Sequence, residues 1–169
     1  MTGKIKMKKK ILEAIERVHE LFKQKGLTLS VAESCTGGLI SHCITTLPGA
    51  SNFFEAGVVS YSAEAKREIL GVSSDIISSY GVVSDQTARE MAEKVRALTG
   101  TDFALSTTGN LGPDLLEGKE KGLIYVAASK DGETFTKKLH LKGSREKNKE
   151  EAALEAMKFL AEIVEREKY

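Results

Sequence analysis

Three apolar stretches, each ending in a cluster of small polar residues, constrain the fold of this chain more than any other feature. The stretches read LTLSVA, EAGVVSYS and DFALSTTG, and helical patterns separate them. Continuous apolar strands connected by helices are typical of a largely parallel sheet covered on both faces. Two further strands, LIYVAAS and ETFTKKLHL, flank Asp131-Gly132, a dipeptide that predicts a hairpin at the end of the sheet. We therefore predict an α/β fold, a three-layer α/β/α sandwich with about five strands and a terminal hairpin.

Apolar residues at helical spacing predict the helices that connect these strands. Ile11, Ile15, Val18 and Phe22 share one face of a helix over about residues 8–25. Similar patterns, with a Gly, a Pro or a capping Ser at their ends, predict further helices over about 39–47, 63–71, 74–80, 85–98 and 145–167. A chain of 169 residues has the length of one ordinary domain, so we expect a single domain over 1–169.

The composition narrows the possible function classes. The chain carries 25 Lys and Arg against 24 Asp and Glu, so its net charge of +1 creates no field that attracts nucleic acid. The run Lys8-Lys9-Lys10 fits a solvated helical turn better than a phosphate patch. No apolar run approaches the roughly 18 residues that span a membrane, and the basic N-terminus lacks the apolar stretch of a signal peptide. We expect a cytoplasmic protein with no nucleic-acid or membrane partner, in which Cys35 and Cys43 are free thiols.

A cluster of reactive side chains follows the first strand. Ser34, Cys35 and Thr36 precede Gly37-Gly38, which opens the next predicted helix. In open α/β sheets ligands bind beyond the carboxyl ends of the strands, and a helix N-terminus with glycines suits a phosphate or an oxyanion. The same residues also fit a plain capped helix start, with Thr36 as the N-cap. Both interpretations stay open at this point.

A serine and a lysine further along the chain could form a nucleophile and its base. Ser51 follows the turn Pro48-Gly49, and Lys66 lies on the helix after the second strand. A serine needs a base to become a nucleophile, and a lysine serves only when burial lowers its pKa from about 10.4. Alternatively, Ser51 caps a short turn and Lys66 is a solvated helix residue. Cys35, at a helix N-terminus, is another candidate nucleophile.

The remaining candidates point to no metal and no cofactor. His19, His42 and His140 fall on separate predicted elements without ligand spacing, so neither a Cys/His metal site nor a Ser-His-Asp triad is indicated. Arg145 opens the last helix, where it could fork onto a phosphate or remain a surface side chain. We therefore expect a site that uses neither a metal nor a cofactor.

Several of these segments, taken in order, resemble one known family. The blocks AESCTGG, PGASNFFEAGVVSYSAEAKREILGV, GVVSDQTAREMAE and TTG are similar to those of the CinA C-terminal domain family, the nicotinamide mononucleotide deamidases, in its stand-alone form. The resemblance implies an α/β/α sandwich that hydrolyses the carboxamide of nicotinamide mononucleotide to nicotinate mononucleotide and ammonia. It also implies a homo-oligomer that needs no metal. The alternative is a catalytically weak or inactive nucleotide-binding module of the same fold.

The resemblance implies roles for individual residues. Ser51 matches the second Ser of the family's Pro-Gly-Ser-Ser turn and would be the nucleophile, and Lys66 ends the Tyr-Ser-x-x-Ala-Lys block and would be the base. Tyr61 would complete the catalytic group. The residues implied to bind the substrate are Ser34, Thr36, Gly37, Gly38, Thr108, Gly109 and Arg145.

One loop departs from the family pattern. The family usually continues from Thr-Gly-Ile-Ala-Gly-Pro into a run of glycines, whereas residues 108–122 read TGNLGPDLLEGKEKG here. Glycines let backbone N–H groups wrap an anion without side-chain clash. Asp114 would repel a substrate phosphate and Leu115 would crowd it, so we expect weaker binding of the mononucleotide than the family pattern implies.

Overall fold

A computed structural model of the chain describes residues 3–167 and shows a five-stranded sheet between two layers of helices. The strands are β1 Leu29–Glu33, β2 Phe54–Val59, β3 Phe103–Gly109, β4 Leu123–Lys130 and β5 Glu133–His140, in the order β2-β1-β3-β4-β5. β1 pairs in parallel with β2 and β3, whereas the β3–β4 and β4–β5 pairs are antiparallel. The predicted three-layer sandwich and its terminal hairpin are confirmed, with Lys130 paired to Glu133 across the Asp131-Gly132 turn.

Six α-helices connect or flank the strands in the described part of the chain. They are α1 Gly3–Lys25, α2 Leu39–Thr46, α3 Ala63–Ala65, α4 Ser74–Tyr80, α5 Asp85–Thr99 and α6 Arg145–Arg166. The side chain of Ser62 caps α3 and that of Ser84 caps α5, as the sequence predicts. One difference from the predicted helices affects the site: α3 continues as a π-helical turn, Lys66–Leu70.

Helices cover both faces of the sheet. On one face, α1, α2 and α6 enclose the larger core, in which Phe22 stacks on Phe53 with ring centroids 5.4 Å apart. On the other face, α5 packs Met91 and Val95 against the strands. All five residues of β1 are buried because this strand has neighbours on both edges and helices on both faces.

The carboxyl ends of the three parallel strands meet at one edge of the sheet. Glu33, the last residue of β1, is in register with Val59 of β2 and with Thr107 of β3. The residues that follow continue this pairing, since Ser34 N donates to Thr107 O and Ser60 N donates to Glu33 O, both at 2.9 Å. Segments far apart in sequence are thereby brought together at this edge.

Candidate active site

A serine and a lysine meet at the carboxyl edge of the sheet. Lys66 Nζ donates hydrogen bonds of 2.8 Å to Ser34 Oγ and of 2.8 Å to the carbonyl oxygen of Ser60. Ser34 follows β1 directly, and Lys66 begins the π-helical turn that comes after β2. The parallel register of β1 and β2 therefore aligns two side chains that are 32 positions apart in the sequence.

Burial alters the protonation of Lys66. Its side chain is 0% exposed, and no carboxylate among residues 3–167 forms an ion pair with it. Desolvation lowers the pKa of Lys66 to about 8, while the charges of Cys35 and Glu117 act in the opposite direction. A neutral amine, the form that can accept a proton from Ser34, is therefore accessible near neutral pH.

A small cleft opens over Ser34. Its volume is about 90 Å³. Five of the residues that the sequence indicated line it or lie at its mouth: Ser34, Tyr61, Thr108, Gly109 and Arg145. Cys35, the alternative nucleophile, also lines it, and the sequence did not single out the remaining lining residues, which are Val82, Asn110, Leu111 and Leu116.

The hydroxyl of Thr108 is engaged within the protein. Thr108 Oγ1 donates a hydrogen bond of 2.6 Å to the carbonyl oxygen of Val82, which fixes one wall of the cleft. Gly109 has no room for a side chain, because a Cβ there would lie 2.7 Å from the carbonyl oxygen of Leu123. Thr108 and Gly109 therefore shape the cleft through their backbone and packing.

A cation lies at the mouth of the cleft, and a second one follows it on the same helix. Arg145, in the first turn of α6, donates through Nη2 to the hydroxyl of Tyr61 at 2.8 Å and through Nη1 to the carbonyl oxygen of Gly112. One turn further along α6, the ammonium of Lys149 lies against the backbone of Gly37. An anionic substituent at this mouth would meet positive charge on α6.

The N-terminus of α2 is already occupied by a buried carboxylate. Glu33 is 0% exposed, and its oxygens accept hydrogen bonds from the N–H groups of Gly38, Ile40 and Ser41 and from the hydroxyls of Thr36 and Ser41. A carboxylate at a helix N-terminus satisfies free N–H groups and interacts favourably with the helix dipole. This end of α2 therefore has little capacity left for a second anion.

Thr36, Gly37 and Gly38 have structural roles at this turn, and their binding of substrate stays a prediction. Thr36 Oγ1 is buried between Glu33 and Thr107, with which it makes hydrogen bonds of 2.6 and 2.7 Å. Gly37 and Gly38 have φ angles of 57° and 97°, a region that favours glycine. These residues form and hold the turn that presents Ser34, so both sequence interpretations contained part of the answer.

Ser51 and Lys66 lie at opposite ends of β2. Ser51 belongs to a 3-10 turn, Ala50–Asn52, that precedes β2, whereas Lys66 follows β2. A strand of 6 residues advances about 3.3 Å per residue, which separates the two positions by roughly 20 Å. The expected pairing of Ser51 with Lys66 is therefore corrected, and Ser34 takes the place of Ser51 beside the lysine.

Two further expectations change with the structure. Burial raises the pKa of the Cys35 thiol to about 12, so this side chain lacks the thiolate that a nucleophile needs. Asp114 does not line the cleft over Ser34; it borders a separate hollow together with Leu115 and Lys142. Of the two adjacent leucines of this loop, Leu116 lines the cleft, and nothing in the sequence pattern distinguishes it from Leu115.

No group of three or more His, Cys, Asp or Glu side chains within residues 3–167 could hold a metal ion. No helix in the same range combines the length and the apolar character needed to cross a membrane.

The fold and the site define a three-layer α/β domain with a cleft beyond the carboxyl ends of its parallel strands. Comparison with known proteins agrees with this class. The chain belongs to the CinA C-terminal domain family, which matches residues 12–164.

Relatives and solved structures support this assignment. A competence-damage inducible protein of Thermoanaerobacter sp. (strain X514) is 49% identical over 146 residues, which cover 86% of this chain and 35% of that protein. A CinA-like protein of Kosmotoga olearia is 43% identical over 146 residues, with the same coverage of 86% and 35%. The chain thus spans about a third of the length of these relatives. The crystal structure of competence damage-inducible protein A from Klebsiella pneumoniae superimposes with a TM-score of 0.91 at 30% identity, covering 94% of this chain and 99% of that one.

Proposed function

We propose that this domain is an amidohydrolase that converts nicotinamide mononucleotide and water to nicotinate mononucleotide and ammonia, with Ser34 as the nucleophile and Lys66 as the base. The observation that carries the proposal is the 2.8 Å contact between Lys66 Nζ and Ser34 Oγ. A buried lysine of lowered pKa beside a serine at the floor of a cleft is the arrangement that nucleophilic catalysis without a histidine requires. The substrate and the expected homo-oligomer come from the resemblance.

The first half of the reaction forms an acyl-enzyme. Neutral Lys66 accepts the proton of the Ser34 hydroxyl while Oγ attacks the carboxamide carbon, giving a tetrahedral oxyanion. The N–H group of Cys35 adjoins Ser34 in the lining of the cleft and forms no backbone–backbone hydrogen bond within residues 3–167, so we assign it to this oxyanion. One such donor typically contributes about 3 kcal/mol to the transition state. Lys66 then protonates the amide nitrogen, the C–N bond breaks, and ammonia leaves.

The second half of the reaction repeats these steps with water. Neutral Lys66 accepts a proton from a water molecule that attacks the ester carbon. Collapse of the second tetrahedral intermediate breaks the bond to Ser34 Oγ, which recovers its proton from Lys66. The product carboxylate leaves, and the serine and lysine return to their starting states.

Arg145 and Tyr61 are assigned to the far end of the substrate. The Arg145 guanidinium lies at the mouth of the cleft, bonded to the Tyr61 hydroxyl, and carries further N–H donors that suit a phosphate. Thr108 and Gly109 form the wall against which the aromatic ring of the substrate would lie. The proposed ligand is thus held at its amide by Ser34 and at its phosphate by Arg145.

The proposal is tested by measuring ammonia release from nicotinamide mononucleotide by the purified protein. Ser34→Ala and Lys66→Met should each lower kcat by about a thousandfold or more, because the reaction loses its attacking atom or its base. Ser51→Ala is the matched control and should leave kcat within about twofold of the wild type. Loss of activity in Ser51→Ala, with activity retained in Ser34→Ala, would overturn the assignment.

A second candidate function is a nucleotide-binding module that has little or no turnover. The observation that favours it is the cleft volume of about 90 Å³, which is below the roughly 300–1,000 Å³ of most small-molecule sites. Calorimetric binding of nicotinamide mononucleotide without any release of ammonia would establish this second function.

A further inference from the structure

Part of the 110–122 loop folds into a small hairpin beside the cleft. Leu116 and Lys119 exchange two backbone hydrogen bonds, of 3.2 and 2.9 Å. Glu117 and Gly118 between them have φ angles of 54° and 72°. Positive φ at both central positions is the geometry of a type I′ turn, which favours Asn or Gly over Glu. Glu117 is therefore an uncommon residue for this backbone conformation.

The side chains of the hairpin fasten it to the segment that connects α4 and α5. Glu117 accepts hydrogen bonds from the N–H groups of Val82 and Val83 at 3.0 and 3.3 Å. Lys119 Nζ donates to the carbonyl oxygens of Tyr80 and Val83. These four bonds, here called the Glu117–Lys119 clamp, hold the hairpin against one wall of the cleft.

The clamp determines which leucine faces the cleft. Leu116 lines the cleft over Ser34, and Leu115 borders the separate hollow on the other side of the loop. Leu116 retains 42% of its surface exposed and Leu115 68%, so neither is a core residue. The pair therefore offers two adjacent exposed leucines, of which one lines the cleft over Ser34 and the other does not.

We propose that Leu116, held by the Glu117–Lys119 clamp, is a specificity-determining residue that favours a compact carboxamide over a mononucleotide. The inference rests on the proposed function. With the hairpin in this position, about 90 Å³ is open above Ser34, less than the roughly 300–1,000 Å³ of most small-molecule sites, and Leu116 lines this space together with Arg145. A ribose phosphate that extends from Ser34 toward Arg145 has to pass Leu116, so the affinity of the mononucleotide is reduced by the cost of displacing the hairpin.

Binding measurements in a Ser34→Ala background test this inference without turnover. Nicotinamide is the compact probe and nicotinamide mononucleotide the large one, each followed by ligand-observed NMR and calorimetry. Leu116→Ala should tighten binding of the mononucleotide by about tenfold and change that of nicotinamide by less than about twofold. Leu115→Ala, the matched control, should change neither.

Several results would overturn the inference. These are equal changes for the two probes in Leu116→Ala, the same gain in Leu115→Ala, or no binding of either probe by any variant. Failure of the proposed function is separate, because it shows as absence of ammonia release from the wild type while the binding pattern persists.

The clamp gives a second, independent measurement. Glu117→Ala removes the acceptor of the Val82 and Val83 N–H groups, so exchange of these two amide hydrogens should become faster. The same acceleration should appear in the wild type when the mononucleotide binds, and nicotinamide should not cause it. Unchanged protection of both amides in the mononucleotide complex would show that the hairpin stays closed and would contradict the inference.

Discussion

Arg145 donates a hydrogen bond of 2.8 Å to the hydroxyl of Tyr61, and this contact joins the first turn of α6 to the segment after β2 across the mouth of the cleft. Tyr61 is 59% exposed despite the bond, so the pair is accessible from solvent. A guanidinium presented in this way keeps donors for a planar or tetrahedral anion.

The role of Arg145 can be separated from that of the dyad by using a substrate without a phosphate. Arg145→Gln should raise KM for nicotinamide mononucleotide by about tenfold or more, and KM for the riboside by much less, because only the former carries the phosphate. kcat for both should change little, since the contact is made equally in the ground state and the transition state. Steady-state ammonia assays with the two substrates check this. Equal increases in KM would mean that Arg145 does not meet the phosphate.

The lowered pKa of Lys66 predicts the pH dependence of the reaction. The base must be neutral, so kcat/KM should rise with pH through about 8 and then level off. At pH 7 about a tenth of the protein carries the neutral lysine. A profile that is flat between pH 6.5 and 9.5, or that falls across this window, would contradict a role for Lys66 as the base.

The charge of Glu117 should be visible in this profile. Desolvation lowers the pKa of Lys66, and the carboxylate of Glu117 acts against this with a smaller effect that raises it. Glu117→Gln should therefore move the midpoint of the profile to lower pH. Glu120→Gln, in the same loop, is the control and should leave the midpoint in place. A shift to higher pH in Glu117→Gln would contradict the assignment.

Lys66 should also link stability to pH. Its pKa is about 8 in the folded protein and 10.5 in the reference state, so the unfolded chain binds more protons between these values. Burial of the charged lysine is a penalty that is fully present below pH 8 and is relieved as the pH rises to 10.5. The free energy of unfolding should thus increase by roughly 3 kcal/mol over this window relative to Lys66→Met, in which the term is absent. Urea titrations of both proteins at matched pH values measure the difference, and parallel pH dependences would refute it.

The carboxylate of Glu33 should be important for stability as well as for the position of Ser34. Glu33→Gln places an amide NH₂ group among donors and should cost about 2–4 kcal/mol in the free energy of unfolding. Glu55→Gln, at an exposed position of β2, should change it by less than about 0.5 kcal/mol. Urea unfolding curves of the two variants give the comparison. Equal stability of both would show that the α2 N-terminus does not depend on the charge.

The sequence predicted the sheet and failed at the pairing within the site, for one physical reason. The buried strands β1 and β3 can be predicted because they are apolar stretches in the sequence. The hairpin can be predicted from its turn dipeptide, Asp131-Gly132. Proximity in sequence favoured Ser51 as the partner of Lys66. However, β2 lies between the two residues, so they are at opposite ends of this strand. Ser34 was the better candidate, because it directly follows a strand parallel to β2.

The loop beside the cleft shows a different limit. Asp114 was expected to face the substrate because it carries a charge, and Leu115 because it is bulky, yet both border another hollow. In this loop the Glu117 carboxylate accepts hydrogen bonds from backbone N–H groups and Lys119 donates to backbone carbonyl oxygens, and such bonds leave no periodic or compositional pattern in the sequence. The alternation that placed Leu116 toward Ser34 could therefore be seen only in the structure.

The π-helical turn that begins at Lys66 makes the base and the local backbone mutually dependent. Val72 N–H bonds to the carbonyl oxygen of Lys66, which spans more residues than an α-helical bond does, and Leu70 at the end of the turn is buried. One residue removed from this turn would restore regular α-helical spacing and rotate either Lys66 or Leu70 by about 100°. A change that made this helix regular would therefore move the amine of Lys66 away from Ser34 or expose Leu70. A related chain with a shortened turn is expected to keep the fold and to lose the contact between the serine and the lysine.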